Sequence, residues 1–243
     1  MKDLAIIVPS RHRPSNFARL CAAFAEPTRA LLVVCQDDDD EPYDLPPDTS
    51  VTRRVGPRQG MVAWTNTVAL ELMDLYPYLG SMGDDHMPRT EGWADAVVAA
   101  LHEMERQAGV GMVYTNDLFQ GPALPTAVYM SSTIVKALGY LGLPGLNHFY
   151  CDNVWLALGR RLRCLYYLDS VVVEHVHPSA HKAGLDEMYN DSMAHWSDDR
   201  AIFERYMRGE FNEDVRRVNA YREMAPSSLA EDVARNVATV NYG

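Results

Sequence analysis

Short apolar segments rich in β-branched residues alternate with amphipathic segments of helical periodicity, and this alternation constrains the fold more than any other feature. Strands are predicted at residues 4–8, 31–35, 51–55, 78–82 and 110–114, and helices at residues 16–25, 60–74 and 93–104. Strands that are apolar throughout are typical of a sheet buried on both faces. Their alternation with helices of about 10 to 15 residues predicts an α/β fold with a mainly parallel central sheet flanked by helices.

The pattern changes after about residue 117. Strands are then predicted at residues 126–130, 163–168 and 170–174, and helices at residues 131–138 and 152–159. From about residue 183 the sequence is polar with helical periodicity. We therefore expect a helical C-terminal tail after the α/β part.

The composition restricts the possible functions. With 243 residues, 47% of them hydrophobic, the chain can build one substantial core. Its 33 acidic and 22 basic residues give a formal net charge of −11, which argues against non-specific binding to polyanions. The four cysteines are scattered without CxxC spacing, so we expect reduced thiols, no structural zinc site and a cytoplasmic location. We expect no membrane span and no signal peptide, because no long apolar run occurs and residues 1–3 lead directly into the short strand predicted at residues 4–8.

Two adjacent carboxylates, Asp84 and Asp85, follow the strand predicted at residues 78–82 and precede a proline turn. In α/β folds, ligands bind beyond the carboxyl ends of the strands. Mg²⁺ and Mn²⁺ prefer carboxylate oxygens together with the phosphates of a substrate. The pair therefore predicts a site for a divalent cation and a phosphorylated ligand, with a solvated acidic turn as the alternative.

Other polar residues also follow predicted strands. The first strand is followed by Pro9, Ser10, Arg11 and Arg13, and the second by the run Asp37-Asp38-Asp39-Asp40. Arginine can meet phosphate bidentately, so this edge of the sheet suits a phosphorylated ligand. We expect Asp39 and Asp40 to be solvated.

A pair of histidines, His175 and His177, follows the valine-rich strand at residues 170–174. Side chains alternate along a strand, so both imidazoles should point to the same face. Imidazole is an acceptable ligand for Mn²⁺. The pair therefore predicts further metal ligands, and a satisfied surface or core histidine is the alternative for either one.

The order of these motifs resembles the GT-A glycosyltransferases of the family 2 type, over about residues 4–180. The resemblance is carried by Ile6-Ile7-Val8-Pro9-Ser10-Arg11, Asp37-Asp38, the segment from Gly60 to Asn66, Asp84-Asp85, and the segment from Gly142 to Leu158 with Asp152-Asn153-Val154-Trp155-Leu156. It implies a GT-A fold in residues 1–182, with a nucleotide-sugar-binding half at 1–117 and an acceptor half at 118–182. Residues 183–243 would form a helical extension packed on the same domain.

The resemblance also implies an activity. The chain would transfer a sugar from a nucleotide-diphosphate donor, with a UDP-sugar favoured, to an acceptor hydroxyl with the help of Mn²⁺ or Mg²⁺. In-line attack would invert the anomeric centre, and retention is the alternative. The acceptor is open: a glycan, a small molecule or a modified nucleobase.

Roles for individual residues follow from the same resemblance. Asp85 would be the main metal ligand, with Gly83 in place of the first acid of the family's Asp-x-Asp pattern, and Asp84 would contact the ribose or serve as a secondary ligand. His177, slightly ahead of His175, would complete the metal shell, and the neighbouring His86 is a weaker candidate. The nucleotide-sugar would be bound by Pro9, Ser10, Arg11, Arg13, Asp37, Asp38, Arg58, Asn66 and Asp84.

Asp152 is the candidate general base for the acceptor hydroxyl. If Leu156 and Leu158 set the register, the family's usual base position falls on Asn153 instead. A helix N-cap is the non-catalytic alternative for Asp152. Trp64, Trp93, Trp155 and Trp196 are expected to be core anchors, with a sugar-stacking wall as the alternative for Trp155.

Two other functions compete with sugar transfer. A nucleotidyltransferase also combines an α/β sheet with acidic metal ligands, but residues 10–14 lack the glycine-rich loop expected after its first strand. A catalytically degenerate module that binds a nucleotide or saccharide without turnover is the second. Metal-dependent turnover that is lost in an Asp85 variant would separate an enzyme from such a module.

Overall fold

The computed structural model describes residues 2–24, 28–47, 50–182, 184 and 187–224. In these residues the strands are β1 (Leu4–Pro9), β2 (Ala30–Asp37), β3 (Val51–Gly56), β4 (Tyr78–Ser81), β5 (His86–Pro88), β6 (Met112–Asn116), β7 (Val128–Ser131) and β8 (Leu165–His175). The α-helices are α1 (Pro14–Ala22), α2 (Met61–Leu72), α3 (Trp93–Ala108), α4 (Ser132–Leu138), α5 (Cys151–Leu162), α6 (Glu187–Met193), α7 (Trp196–Arg208) and α8 (Phe211–Met224).

The eight described strands form one sheet in the order β3-β2-β1-β4-β7-β6-β8-β5. The pairs β1–β2, β1–β4, β2–β3 and β6–β8 are parallel, whereas β4–β7, β6–β7 and β5–β8 are antiparallel. Only β5 and β7 therefore run against the other described strands. The predicted α/β fold with a mainly parallel sheet is confirmed.

The central strands are buried on both faces, as their apolar sequences predict. Along β1, Leu4, Ile6 and Val8 pack into one hydrophobic cluster with α1 and α3, whereas Ala5 and Ile7 pack into another with α2, α4 and α5. All five side chains are completely buried. The alternation of side chains along the strand thus joins two helical layers through the sheet.

Two strands differ from the prediction. β5 was not predicted, because its three residues are too few to show a periodicity and one of them is a proline. Among the described strands it pairs with the C-terminal end of β8. β8 is one strand where two were predicted. Its pairing with β6 jumps from Leu168 to Val172, so an irregularity accommodates Asp169, Ser170 and Val171 without ending the strand.

The described part of the C-terminal extension packs on the same core. Tyr206, Phe211, Val215 and Val218 are buried in the cluster that also contains α4 and α5. Tyr140 donates a hydrogen bond to the buried Asp214 of α8. Residues 225–243 of the predicted extension lie outside the described residues. No helix that the structure describes has the length and apolar character needed to cross a membrane.

A single carboxylate in α7 secures the loop that leads into α5. Asp199 is fully buried and accepts hydrogen bonds from the backbone and amide side chain of Asn147 and from the backbone N–H groups of His148 and Phe149, at 2.8–3.1 Å. Burial alone would raise the pKa of Asp199, but these four donors outweigh it and hold the pKa below its ordinary value. The C-terminal helices therefore fix the position of the segment before Asp152.

Replacing Asp199 with asparagine should destabilise the fold. The amide NH₂ would face two N–H donors, so we expect a loss of about 2–3 kcal/mol and a Tm lower by about 5–10 °C in thermal unfolding at pH 7. Asp198→Asn, an exposed change in the same first turn, is the matched control and should leave Tm unchanged.

The effect of Asp199→Asn should also depend on pH. Because the folded-state pKa of Asp199 is lowered, its contribution is present above the unfolded value of about 4 and is lost as the pH falls through the folded value. The difference in Tm between the parent protein and Asp199→Asn should therefore shrink below about pH 4. A constant difference from pH 7 to pH 3 would contradict this assignment.

Candidate functional site

A cleft of about 930 Å³ opens at the carboxyl ends of β1, β2 and β4, between these strands and the segment from α5 to α7. Most of the site residues predicted from the sequence line it: Pro9, Ser10, Arg11, Arg13, Asp37, Arg58, Asp84, Asp85, Asp152, His175 and His177. Asp38 and Asn66 do not. The common edge of the parallel strands explains why residues so far apart in sequence meet here.

Asp85 lies at the centre of a compact group of side chains that could hold a metal ion. Its Oδ1 is 3.2 Å from Nδ1 of His86, and its Oδ2 is 3.4 Å from Nε2 of His175. One ligand atom from each of these three residues lies within 4.8 Å of the other two. Tyr189 of α6 donates a hydrogen bond of 2.6 Å to Oδ2 of Asp85.

The β5–β8 pairing creates this arrangement. His86 is directly opposite His175 in the antiparallel ladder, and their rings stack with centroids 4.1 Å apart. Asp85 is the residue before β5, and its backbone carbonyl accepts the N–H of Val176 just after β8. The backbone therefore brings one carboxylate and two imidazoles together.

The electrostatics of the group favour a bound cation. Burial opposes ionisation of Asp85, but hydrogen bonds from His175 and His86 outweigh it and hold the pKa well below its ordinary value. Burial, with the neighbouring His86, lowers the pKa of His175, so this imidazole tends to be neutral. Its Nδ1 is buried and has no hydrogen-bond partner among the described residues. An ionised carboxylate beside a neutral imidazole is a suitable ligand set for a divalent metal.

His86 is oriented by a chain of hydrogen bonds. Its Nε2 is 3.3 Å from the hydroxyl of Thr126, which donates to Oδ2 of Asp117 at 2.8 Å. The other oxygen of Asp117 accepts three backbone N–H groups of the following loop. Burial would raise the pKa of Asp117, but these donors lower it. Such outer partners fix the ring of a metal-binding histidine. They hold the Nδ1 of His86 against Asp85, where it also accepts the backbone N–H of Gly83 at 3.1 Å.

Sequence reasoning missed Asp117 and Thr126. Asp117 directly follows β6, so its position at a strand end is the one signal that could have identified it. Thr126 gives no comparable signal in the sequence.

His177 lies beside the group but outside it. Its ring centroid is 4.8 Å from that of His175, and its Nδ1 accepts the backbone N–H of Ser179 at 3.1 Å. The ring also stacks on Phe119 at 5.7 Å. The described contacts thus bring His86 and His175 to Asp85, whereas His177 contacts His175 instead. The role of His177 as a metal ligand therefore stays a prediction.

Asp84 connects the end of β4 to the residues that follow β1. Its carboxylate accepts hydrogen bonds from the Ser10 hydroxyl at 2.7 Å and from the Arg13 guanidinium at 3.0 Å. Burial raises the pKa of Asp84 to about 6, against the opposing charge of Arg13. A side chain on Gly83 would place its Cβ 2.5 Å from Oδ1 of Asp85, which explains why the first acid of the Asp-x-Asp pattern has no room here.

Asp37 is held between two donors at the end of β2. Its Oδ1 accepts the indole N–H of Trp64 at 2.7 Å, and its Oδ2 lies 2.9 Å from the guanidinium of Arg11. The Nε of Arg11 is buried and has no hydrogen-bond partner among the described residues. This corner of the cleft therefore offers both a carboxylate and an N–H donor to a ligand.

The remaining aspartates of the run behave differently from one another. Asp38 is exposed outside the cleft lining, and Asp39 is exposed and paired with Arg11. The expectation that Asp40 is solvated is wrong, because Asp40 is buried and accepts hydrogen bonds from the backbone N–H and ring of His12. This carboxylate stabilises the left-handed backbone of His12, at φ 54°.

Asn66 lies outside the cleft lining, whereas Arg58 is part of it. The amide of Asn66 bonds to the backbone N–H groups of Leu141 and Gly142 and to the carbonyl of Gly142, so it fixes a loop rather than facing a ligand. Arg58 lines the cleft, and its guanidinium is 3.7 Å from a carboxylate oxygen of Asp191 in α6.

Asp152 lies in the first turn of α5 on the cleft wall and is half-buried. Its Oδ1 accepts the backbone N–H of Asn153 at 2.8 Å. Burial raises the pKa of Asp152 above its ordinary value. The residue that caps the helix is Tyr150, in a left-handed conformation at φ 70°, so Asp152 is not the N-cap.

Three of the four tryptophans are buried, as expected for core residues, and Trp196 is the exception. Trp64, Trp93 and Trp155 are buried core residues, and the indole N–H of Trp155 bonds to the carbonyl of Leu141. The core prediction is wrong for Trp196, which lines the cleft and is 41% exposed. Its place at the start of a helix remote in sequence from the other site residues gave no signal.

The sequence matches no family model and no curated protein. Among solved structures, S. aureus TarS is similar with a TM-score of 0.50 and 12% identity over 72% of this chain, which spans only 37% of that chain. TarS 1–349 in complex with UDP gives a TM-score of 0.49, with 13% identity and 79% and 69% of the two chains covered. The catalytic domain of Drosophila β1,4-galactosyltransferase 7 in complex with xylobiose gives 0.44, with 14% identity and 79% and 80% covered.

At such low identity, the likeness extends to the fold alone. The first TarS structure reaches a TM-score of 0.50 and carries the fold assignment, because the element order and the strand-end cleft agree with the resemblance seen in the sequence. The chain has the GT-A fold of the glycosyltransferases.

Proposed function

We propose that this chain is a metal-dependent glycosyltransferase that moves a sugar from a nucleoside diphosphate donor to an acceptor hydroxyl. The observation that carries the proposal is the grouping of Asp85, His86 and His175 in the cleft beyond the carboxyl ends of the parallel strands. In open α/β sheets, ligands bind at this edge. Together with the GT-A fold, the group supports the binding of a donor through its diphosphate.

The donor set suits a divalent cation. Asp85 would hold Mn²⁺ or Mg²⁺, His86 and His175 would add nitrogen ligands, and the unpartnered buried Nδ1 of His175 is consistent with a ring positioned by something other than protein hydrogen bonds. Two imidazoles with one carboxylate favour Mn²⁺ over Mg²⁺, which prefers oxygen ligands. When bound, the cation would act as a Lewis acid that neutralises the leaving diphosphate.

A pyrimidine donor is favoured at the Asp37 corner. Uracil presents an N–H flanked by two carbonyl oxygens, and Asp37 with Arg11 offers the complementary carboxylate and N–H donor. We therefore propose UDP-sugars as the donors. Arg13 and Arg58 contribute positive charge near the position of the phosphates.

Asp152 is our proposed general base. Its carboxylate faces the cleft from a different wall than the metal-binding group, and burial brings its pKa closer to neutrality, where a general base works best. Asp152 would accept the proton of the acceptor hydroxyl as the oxygen attacks the anomeric carbon in line with the leaving diphosphate. Such an attack inverts the anomeric centre.

Thermal unfolding with nucleotides tests the proposal. UDP at about 100 times its Kd should stabilise the folded state by about 2.7 kcal/mol, or about 5–10 °C in Tm, only when Mn²⁺ is present. ADP with Mn²⁺ is the matched control and should shift Tm far less. Release of UDP from a panel of UDP-sugars in the presence of acceptors then distinguishes an enzyme from a binding module. Equal stabilisation by UDP with and without Mn²⁺ would contradict the metal assignment.

A further inference from the structure

Trp196 is the most exposed of the large aromatic side chains that line the cleft, followed by Phe119 at 37%. Trp196 is 41% exposed, whereas Trp64, Trp93 and Trp155 are 5–6% exposed. The indole N–H of Trp196 has no hydrogen-bond partner among the described residues. A tryptophan left exposed in a concave cleft is poorly explained by folding alone, because burying its large apolar surface would stabilise the fold.

The indole is supported from outside the cleft. The guanidinium of Arg200, one turn further along α7, lies 5.5 Å from the centre of the Trp196 ring and is itself paired with Glu204. Trp196 lines the cleft and Arg200 does not, so the cation covers a face of the indole from outside the cleft lining. The ring is therefore supported by Arg200 while it stays partly exposed.

Trp196 also contacts an aromatic side chain close in sequence to the candidate base, Asp152. The ring of Tyr150 is tilted by 45° against Trp196 at 6.4 Å and stacks on Phe203 at 5.2 Å. Tyr150 immediately precedes α5, whose second residue is Asp152. The contact between Tyr150 and Trp196 thus places the exposed indole next to the segment that carries Asp152, the proposed base for the acceptor hydroxyl.

The chemistry of this platform fits a sugar ring. A pyranose has an apolar C–H face that packs on an aromatic face, and hydroxyl groups around its edge that accept from an indole N–H. The surroundings do not favour nucleic acid: the formal net charge is −11, and Arg200, the cation against Trp196, is already paired with Glu204.

We propose that Trp196 is the stacking platform for the acceptor, and that the acceptor is an uncharged saccharide. This inference rests on the proposed sugar transfer and narrows its acceptor from the three classes considered above to one. Trp196 would determine acceptor specificity, while Asp85 and Asp37 would act on the donor.

The test is saturation-transfer difference NMR with cellobiose, lactose, chitobiose and xylobiose as probes, and an oligonucleotide carrying 5-hydroxymethylcytosine as the competing class. At least one disaccharide should bind the parent protein through its ring C–H protons. Trp196→Ala and Trp196→Leu should weaken that binding by about tenfold, and Trp196→Phe should retain most of it. Tyr166→Ala is the matched control, since Tyr166 is 45% exposed but lies outside the cleft, and it should bind like the parent.

Three results would overturn the inference: no disaccharide binds the parent protein, Trp196→Leu binds as tightly as the parent, or the oligonucleotide binds through Trp196. Trp196→Leu keeps an apolar side chain of substantial volume, so it serves if the alanine variant fails to fold. The Mn²⁺-dependent stabilisation by UDP, measured on the same samples, separates the two proposals. If UDP stabilises the protein but no saccharide binds, only the inference about the acceptor is contradicted. If UDP does not stabilise the parent protein, the proposed donor site is wrong.

Discussion

Asp85→Asn should eliminate the Mn²⁺-dependent stabilisation by UDP and, with it, sugar transfer. The amide removes the charge that would hold the cation and places an NH₂ group among His86, His175 and Tyr189. Loss of an outer partner of a metal ligand already weakens metal binding by about 10- to 100-fold, so loss of the ligand itself should exceed about 100-fold. Titration of Mn²⁺ at fixed UDP, followed by Tm, measures the effect.

The matched control for this change is Asp95→Asn, because Asp95 is an exposed aspartate in the first turn of α3. It should leave the Mn²⁺ titration unchanged. If the Asp85 variant folds and still shows the full Mn²⁺-dependent shift, the cation is held elsewhere in the chain.

Asp152→Asn should separate catalysis from binding. An amide cannot accept the hydroxyl proton, so the rate of transfer should fall by about 10²- to 10⁴-fold while the Mn²⁺-dependent shift with UDP remains. A purely structural role would instead lower the free energy of unfolding, and by only about 1 kcal/mol or less, because Tyr150 rather than Asp152 caps the helix. Single-turnover transfer rates and Tm, measured on the same variant, distinguish the two.

Asn153→Ala is the companion variant for this test, since the register of the segment allows either residue to occupy the base position. It should transfer sugar at close to the parent rate. The opposite pattern, with transfer retained in Asp152→Asn and lost in Asn153→Ala, would move the base assignment one residue along α5.

The sequence predicted those parts of the molecule whose structure depends on local pattern. The apolar runs of β1, β2 and β4 show the buried sheet directly, and the polar residues after them mark the cleft because parallel strands share an edge. Asp85 and Asp37 could be identified in this way. The GT-A fold itself followed from the order of these units.

What escaped prediction depends on contacts between residues distant in sequence. β5 is visible only through its pairing with β8, and without that pairing the place of His86 beside His175 cannot be inferred. Asn66 looked like a residue at a helix start facing a ligand, but its amide is used by a loop 75 residues later. Trp196 looked like a core residue because composition does not reveal which aromatic side chain the fold leaves uncovered.

The antiparallel ladder between β5 and β8 has a consequence for how the protein can vary. Main-chain pairing sets His86 opposite His175, so a shift of one residue in the register would put Glu174 or Val176 opposite His86 instead. A change in the length of a loop between the two strands would not alter this register. Insertions and deletions in the intervening loops should therefore leave the two imidazoles aligned. The distance between the two imidazoles is thus set by the pairing of β5 with β8, and the loops between these strands can vary in sequence and length without changing it.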